Sequence, residues 1–188
     1  MKAEIALLWD KDTLFREYLI DKGFTCEIVM PSTLSAPFFS FTGYKLVIVP
    51  AGFGNELYSG MLKALRANSV LIKDFVKMGG TLLVSGALSN KDAYNWLPIK
   101  IEYVMEKGRV KIAVVKKHKA GGIVEKEECM CDGYFSKVEA DGEVILREKD
   151  KDRKAILVVS EYGAGVIIAT TIHEYPSERF IAYFVEGE

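Results

Sequence analysis

The sequence predicts an α/β protein, with parallel strands joined by crossover helices, on three observations. Residues 46–49 (LVIV) and 81–85 (TLLVS) are short, largely apolar runs of the kind buried on both faces of a sheet. Between them, Leu57, Met61, Leu62 and Leu65, then Val70, Leu71, Phe75 and Val76, recur at helical spacing, and Gly79 and Gly80 stop the helix. After Pro50, Ala51, Gly52, Phe53 and Gly54 follow the first run, at the sheet edge where open α/β proteins bind ligands.

The remaining elements follow in order. Residues 3–9 read as a buried first strand ended by the charges Asp10, Lys11 and Asp12, either aspartate being able to cap the helix that carries Leu14, Phe15, Tyr18 and Leu19. Gly23 stops that helix, residues 25–29 form a second strand, and Pro31 closes it. The stretch 31–44 holds two prolines and three phenylalanines and predicts an irregular, partly buried crossover. The helix after residue 57 is expected in two segments, broken near Asn68 and Ser69. Beyond Pro98 the texture changes to β-rich runs around Gly108 and around Tyr162 to Gly165, predicting hairpins. Ser177 caps a closing helix with Phe180, Ile181, Tyr183 and Phe184.

Composition narrows the function classes. A chain of 188 residues, 49% hydrophobic and 27% charged, is an ordinary globule with enough length for a real core. A net charge of −1 gives no global field toward nucleic acid or an anionic membrane, and the basic run Lys116, Lys117, His118, Lys119 is answered by the acidic run 125–128, so neither partner is expected. The apolar run in MKAEIALLWDKD is too short for a signal peptide, and three cysteines do not make a disulfide framework, which predicts a cytoplasmic protein. The absence of Gln beside abundant Lys and Glu leans toward a thermophile.

The succession LVIVPAGFG, FVKMGGTLLVSGA, CDGYF and SEYGAGVIIATTIHEYPSERF resembles the class I glutamine amidotransferase-like superfamily, including its ThuA-like and non-catalytic relatives. The resemblance implies a three-layer α/β/α flavodoxin-like sheet, mostly parallel, with a β-hairpin elaboration in the C-terminal half, and residues 1–188 as a single domain of that kind. In catalytic members the strand after Gly-Gly leads to a nucleophilic cysteine between small residues, and a late His with a nearby Glu completes a triad. Here Gly86 stands at the cysteine position, Leu88 replaces the glycine that follows it by two, and His173 and Glu174 are adjacent where one residue usually separates them. The resemblance therefore argues against glutamine hydrolysis.

Ser85 is the one substitute nucleophile at this edge, with Ser89 behind it, and His173 is a candidate base that Glu174 or Glu178 would orient. The plain alternatives are a serine satisfying a strand end and a packed or capping histidine. Amides around Gly52, Phe53, Gly54 and Asn55, with Gly86 opposite, are candidates to hold a carboxylate or an oxyanion. Cys129 and Cys131 share a strand face, but His118 and His173 are not at finger-like spacing from them, so no metal is expected, and Cys26 reads as core. A dinucleotide fingerprint fails at Leu57, a receiver site fails at Val49 to Ala51, and Asp10 and Asp12 would repel an FMN phosphate, so no cofactor is expected. Three readings remain: a non-catalytic domain that binds a small molecule or protein partner or forms a homo-oligomer, a hydrolase rebuilt on Ser85 and His173, and a purely structural oligomer subunit.

Overall fold

In the computed structural model, described over residues 3–89, 92–152 and 154–187, all nine strands belong to one sheet. Its first part comprises β1 (Ile5–Leu8), β2 (Cys26–Val29), β3 (Leu46–Val49) and β4 (Thr81–Val84), followed in the chain by β5 (Ile101–Val114), β6 (Glu128–Val138), β7 (Glu143–Glu148), β8 (Ala155–Tyr162) and β9 (Gly165–Thr170). The order across the sheet is β2-β1-β3-β4-β9-β8-β6-β5-β7. Strands β2 to β9 in that order are mutually parallel, and every pairing beyond β9 is antiparallel.

The expected three-layer, mostly parallel flavodoxin-like sheet is overturned here. Strand β7 pairs back onto β8, so β8, β6, β5 and β7 close into an antiparallel, barrel-like ring. Strands β5 and β6 run for 14 and 11 residues, against 4 in each of β1 to β4, so the antiparallel part is the larger body of the sheet. What reads as hairpins around Gly108 is one long strand that passes through that glycine with a shift of register between Met105 and Gly108.

Helices α1 (Leu14–Asp21), α2 (Pro31–Leu34), α3 (Met61–Ala67), α4 (Ser69–Lys77) and α5 (Glu178–Glu186) are short and serve the parallel end. Alternate residues of the strands separate two cores. Ala6, Leu8, Val47, Val49, Leu82 and Val84 meet Met61, Leu65, Phe75 and Val76 of α3 and α4, while Ile5, Leu7, Ile48 and Ile168 meet Phe15, Leu19, Phe180 and Ile181 of α1 and α5. Thr13, rather than either aspartate, caps α1 by accepting from the Arg16 N–H at 3.3 Å, and Ser177 caps α5 by accepting from the Phe180 N–H at 3.1 Å. Residues 31–44 contain one short helical turn and bury Leu34, Phe41 and Tyr44, but Phe38 is fully exposed. Among the described residues no helix is long and apolar enough to cross a membrane.

Candidate functional site

Because β1, β3, β4 and β9 are parallel, their carboxyl ends deliver Trp9, Ala51, Ser85 and His173 to one edge. A cleft of about 240 Å³ opens there, walled by Trp9, Phe15 and Tyr175 and lined by Ser85, His173 and Glu174. The Phe15 and Tyr175 rings stack at 4.6 Å, and the Tyr18 hydroxyl donates to the Pro176 carbonyl at 2.7 Å, which fixes α1 against the segment after β9.

The glycine loop after β3 is built for close packing. Gly52 adopts φ +92, a conformation that favours glycine, and its N–H donates to the Gly86 carbonyl at 2.8 Å. The Gly54 N–H donates to the Ala87 carbonyl at 3.1 Å and the Asn55 N–H to the Gly52 carbonyl at 3.0 Å, while Phe53 is fully buried. The amides of Gly52 and Gly54, candidates for an anion site, are thus spent on tying this loop to the turn at Gly86 and Ala87, and that of Asn55 on closing the loop itself. Asp10 secures the far end of the loop, its carboxylate accepting from the Ser59 hydroxyl and, at 3.0 Å, from the Gly60 N–H. Tyr94 secures the turn itself, donating to the Ser85 carbonyl at 2.9 Å and accepting from the Ala87 N–H at 3.0 Å; burial pushes its hydroxyl well above the ordinary range.

Past its end, β9 leaves β8 and pairs with β6. The Asp132 N–H donates to the Thr171 carbonyl and the His173 N–H to the Met130 carbonyl, both at 2.8 Å, around a Cys131–Ile172 bridge. This crossing sets Asp132 beside His173, whose Nδ1 lies 3.0 and 3.1 Å from the two carboxylate oxygens. The Asp132 side chain is 3% exposed and that of His173 57%, so a buried carboxylate holds a ring that reaches solvent. Asp132 also abuts Gly86: a Cβ on Gly86 would lie 2.9 Å from the Asp132 Cβ and 3.0 Å from its Oδ2.

Ser85 and His173 share the cleft, yet no hydrogen bond joins them, and the Ser85 hydroxyl has no hydrogen-bond partner among the described residues. Glu174 does not orient His173. Its Oε1 accepts from the Met130 N–H at 3.4 Å, and its Oε2 is buried without a donor. Glu178 forms an ion pair with Lys22 at 3.2 Å. The carboxylate that serves His173 is Asp132, which the pattern of a late His with a nearby Glu did not bring out; the signal available was an aspartate inside the otherwise apolar CMCDGYF.

Elsewhere, Cys129 and Cys131 are buried with their sulfurs 3.6 Å apart, and His118 caps the short 3₁₀ turn Lys119–Ile123 by accepting from the Ala120 N–H at 3.0 Å. Among the described residues no three His, Cys, Asp or Glu side chains converge as metal ligands would. A larger hollow of about 710 Å³ lies beside Tyr94 and Tyr103, and four of its lining charges pair with one another, Lys100 with Glu139 at 3.6 Å and Lys137 with Glu102 at 3.3 Å.

No protein-family model and no curated protein matches the sequence. Solved structures do match the fold. A β-galactosidase from Rahnella sp. R3 aligns with a TM-score of 0.64 and 15% identity over 98% of this chain and 30% of that one. A cytoplasmic protein of Salmonella typhimurium aligns at 0.60 and 17% over 96% of this chain and 92% of its own. A ThuA-like protein from Bacteroides uniformis aligns at 0.52 and 12% over 94% and 83%. At these identities the likeness is one of fold. The chain spans about a third of the β-galactosidases it matches.

Proposed function

We propose that the chain is a single amidotransferase-like domain, residues 1–188, that binds a small molecule in the carboxyl-edge cleft and does not hydrolyse glutamine. One observation carries this reading. The Asp132 carboxylate stands 3.0 Å from where a Cβ at position 86 would be, so the turn leaves no room for a nucleophilic side chain at the position where the resemblance expects one. What remains is binding chemistry. With Nδ1 of His173 engaged by Asp132, its Nε2 is left for a ligand, the Ser85 hydroxyl is unengaged, and three aromatic rings supply apolar contact. The match to the Salmonella protein and the ThuA-like protein over most of their own lengths supports a domain of this extent, and the description of the former as a cytoplasmic protein supports a cytoplasmic location.

The test is an NMR fragment screen of the labelled protein beside an ammonia-release assay with glutamine. Shifts are expected to cluster at Trp9, Ser85, His173 and Tyr175, to weaken in His173→Ala, and to come without ammonia release. Glutaminase activity, or fragment shifts that bypass the cleft, overturns the proposal.

A hydrolase using Ser85 is the second reading, favoured by the Asp132–His173 pair in the same cleft as that serine. His173 would take the Ser85 proton through Nε2 while Asp132 fixes the ring, once substrate brings serine and imidazole within reach. Labelling by a fluorophosphonate, abolished in Ser85→Ala, supports this reading; an unlabelled native protein removes it.

A further inference from the structure

The charges around the cleft are one-sided. Among the residues that line it, the ionisable side chains are His173, Glu174 and Tyr175, and no lysine or arginine is present. Glu174 brings a carboxylate whose Oε2 is buried without a donor, and Asp132 lies directly behind His173. An acceptor left unpaired in a wall of low polarity favours a compensating positive charge. Glu17 stands near enough to Tyr175 to raise its hydroxyl further after burial has raised it. The neighbouring cations are already engaged, Arg16 with Asp12 at 3.3 Å and Lys22 with Glu178 at 3.2 Å. The walls formed by Trp9, Phe15 and Tyr175 are aromatic, and aromatic faces attract cations as well as apolar groups.

Resting on the reading of this cleft as a binding site, we infer that its ligand is a small organic cation, an amine or amidine carried on a flat apolar body, and that carboxylates and phosphates are excluded. The anion expected from the glycines at 52 and 54 has no free amide from either to meet it, because both N–H groups are bonded to the Gly86–Ala87 turn. A cation instead meets Glu174, the aromatic rings and the Nε2 lone pair of His173.

Three probes of nearly equal shape and different charge test this: benzylamine, benzyl alcohol and benzoate, titrated at neutral pH while the Trp9 indole and Tyr175 ring resonances are followed. Trp96, the other tryptophan, is buried and does not line the cleft, and it serves as an internal control. The expected result is that benzylamine binds at least tenfold more tightly than benzoate and several-fold more tightly than benzyl alcohol. Its advantage should shrink in Glu174→Gln and fall with added salt. Should that variant not fold, Glu17→Gln, which removes the charge acting on Tyr175, gives a smaller loss in the same direction. Equal binding of amine and alcohol, or tightest binding of benzoate, overturns the charge inference while leaving the cleft a binding site. Failure of all three probes to shift Trp9 and Tyr175 overturns both.

Discussion

Replacing Gly86 by alanine is the sharpest steric perturbation this chain allows. The added Cβ would sit 2.9 Å from the Asp132 Cβ and 3.0 Å from its Oδ2, closer than carbon packs, and Asp132 cannot retreat freely because its backbone N–H is held by Thr171 and its carboxylate by His173. Over-packing of this kind costs about 1–3 kcal/mol. In a domain of this size each kcal/mol lowers Tm by about 2–4 °C. Chemical denaturation of four proteins forms the assay: native, Gly86→Ala, Asp132→Gly and the double variant. Asp132→Gly removes the opposing Cβ, so the alanine at 86 should cost about 1–3 kcal/mol less in that background, a coupling the cycle isolates. The His173 ring resonances should move in Gly86→Ala as its carboxylate is displaced. Equal cost of the alanine in both backgrounds, or none in either, would refute the claim that Asp132 fills the space beside residue 86.

Further outcomes follow from the same geometry. Tyr175→Ala removes a ring stacked on Phe15 at 4.6 Å and should lower stability by about 1–3 kcal/mol while weakening any cleft ligand, read by urea titration and by binding. Asp10→Ala strips the acceptor from the Ser59 hydroxyl and the Gly60 N–H and should cost about 1–3 kcal/mol, with faster amide exchange over residues 55–60. Burial pushes the Cys26 thiol from 9.0 up to about 12. The unfolded thiol therefore loses its proton first, so this contribution is complete below pH 9 and is lost as pH rises toward 12. It amounts to as much as ~1.4 kcal/mol per pH unit. Urea unfolding at neutral and alkaline pH should show stability falling as pH rises, and Cys26→Ala should make the fall shallower, the buried Tyr94 hydroxyl, which is also pushed up, supplying part of what remains.

The parallel end of the sheet was legible because its strands are short, uniformly apolar and separated by Gly79 and Gly80, a signal that needs no long-range information. The larger antiparallel ring was not. Strand β5 interrupts its own pattern with Gly108 at a register shift, so one strand of 14 residues reads as two hairpin arms, and the closure of β7 onto β8 is a pairing that no local period encodes. The site divides along the same line. Ser85 and His173 follow apolar strands, so their arrival at one edge could be anticipated. Asp132 could not be assigned, because its partner is 41 residues away and meets it only where β9 crosses from β8 to β6. The glycines at 52 and 54 were visible as a tight turn, but the direction of their N–H groups depends on the Gly86 turn, and they point into the protein.

The most direct test of the account is a long-range proton–nitrogen NMR spectrum of the His173 ring, recorded with and without a fragment that shifts Trp9. The account predicts a proton on Nδ1 facing Asp132, an Nε2 resonance that moves as the fragment binds, and a fragment recovered chemically unchanged. A proton on Nε2 alone, a ring indifferent to the fragment, or a fragment converted to product would contradict it.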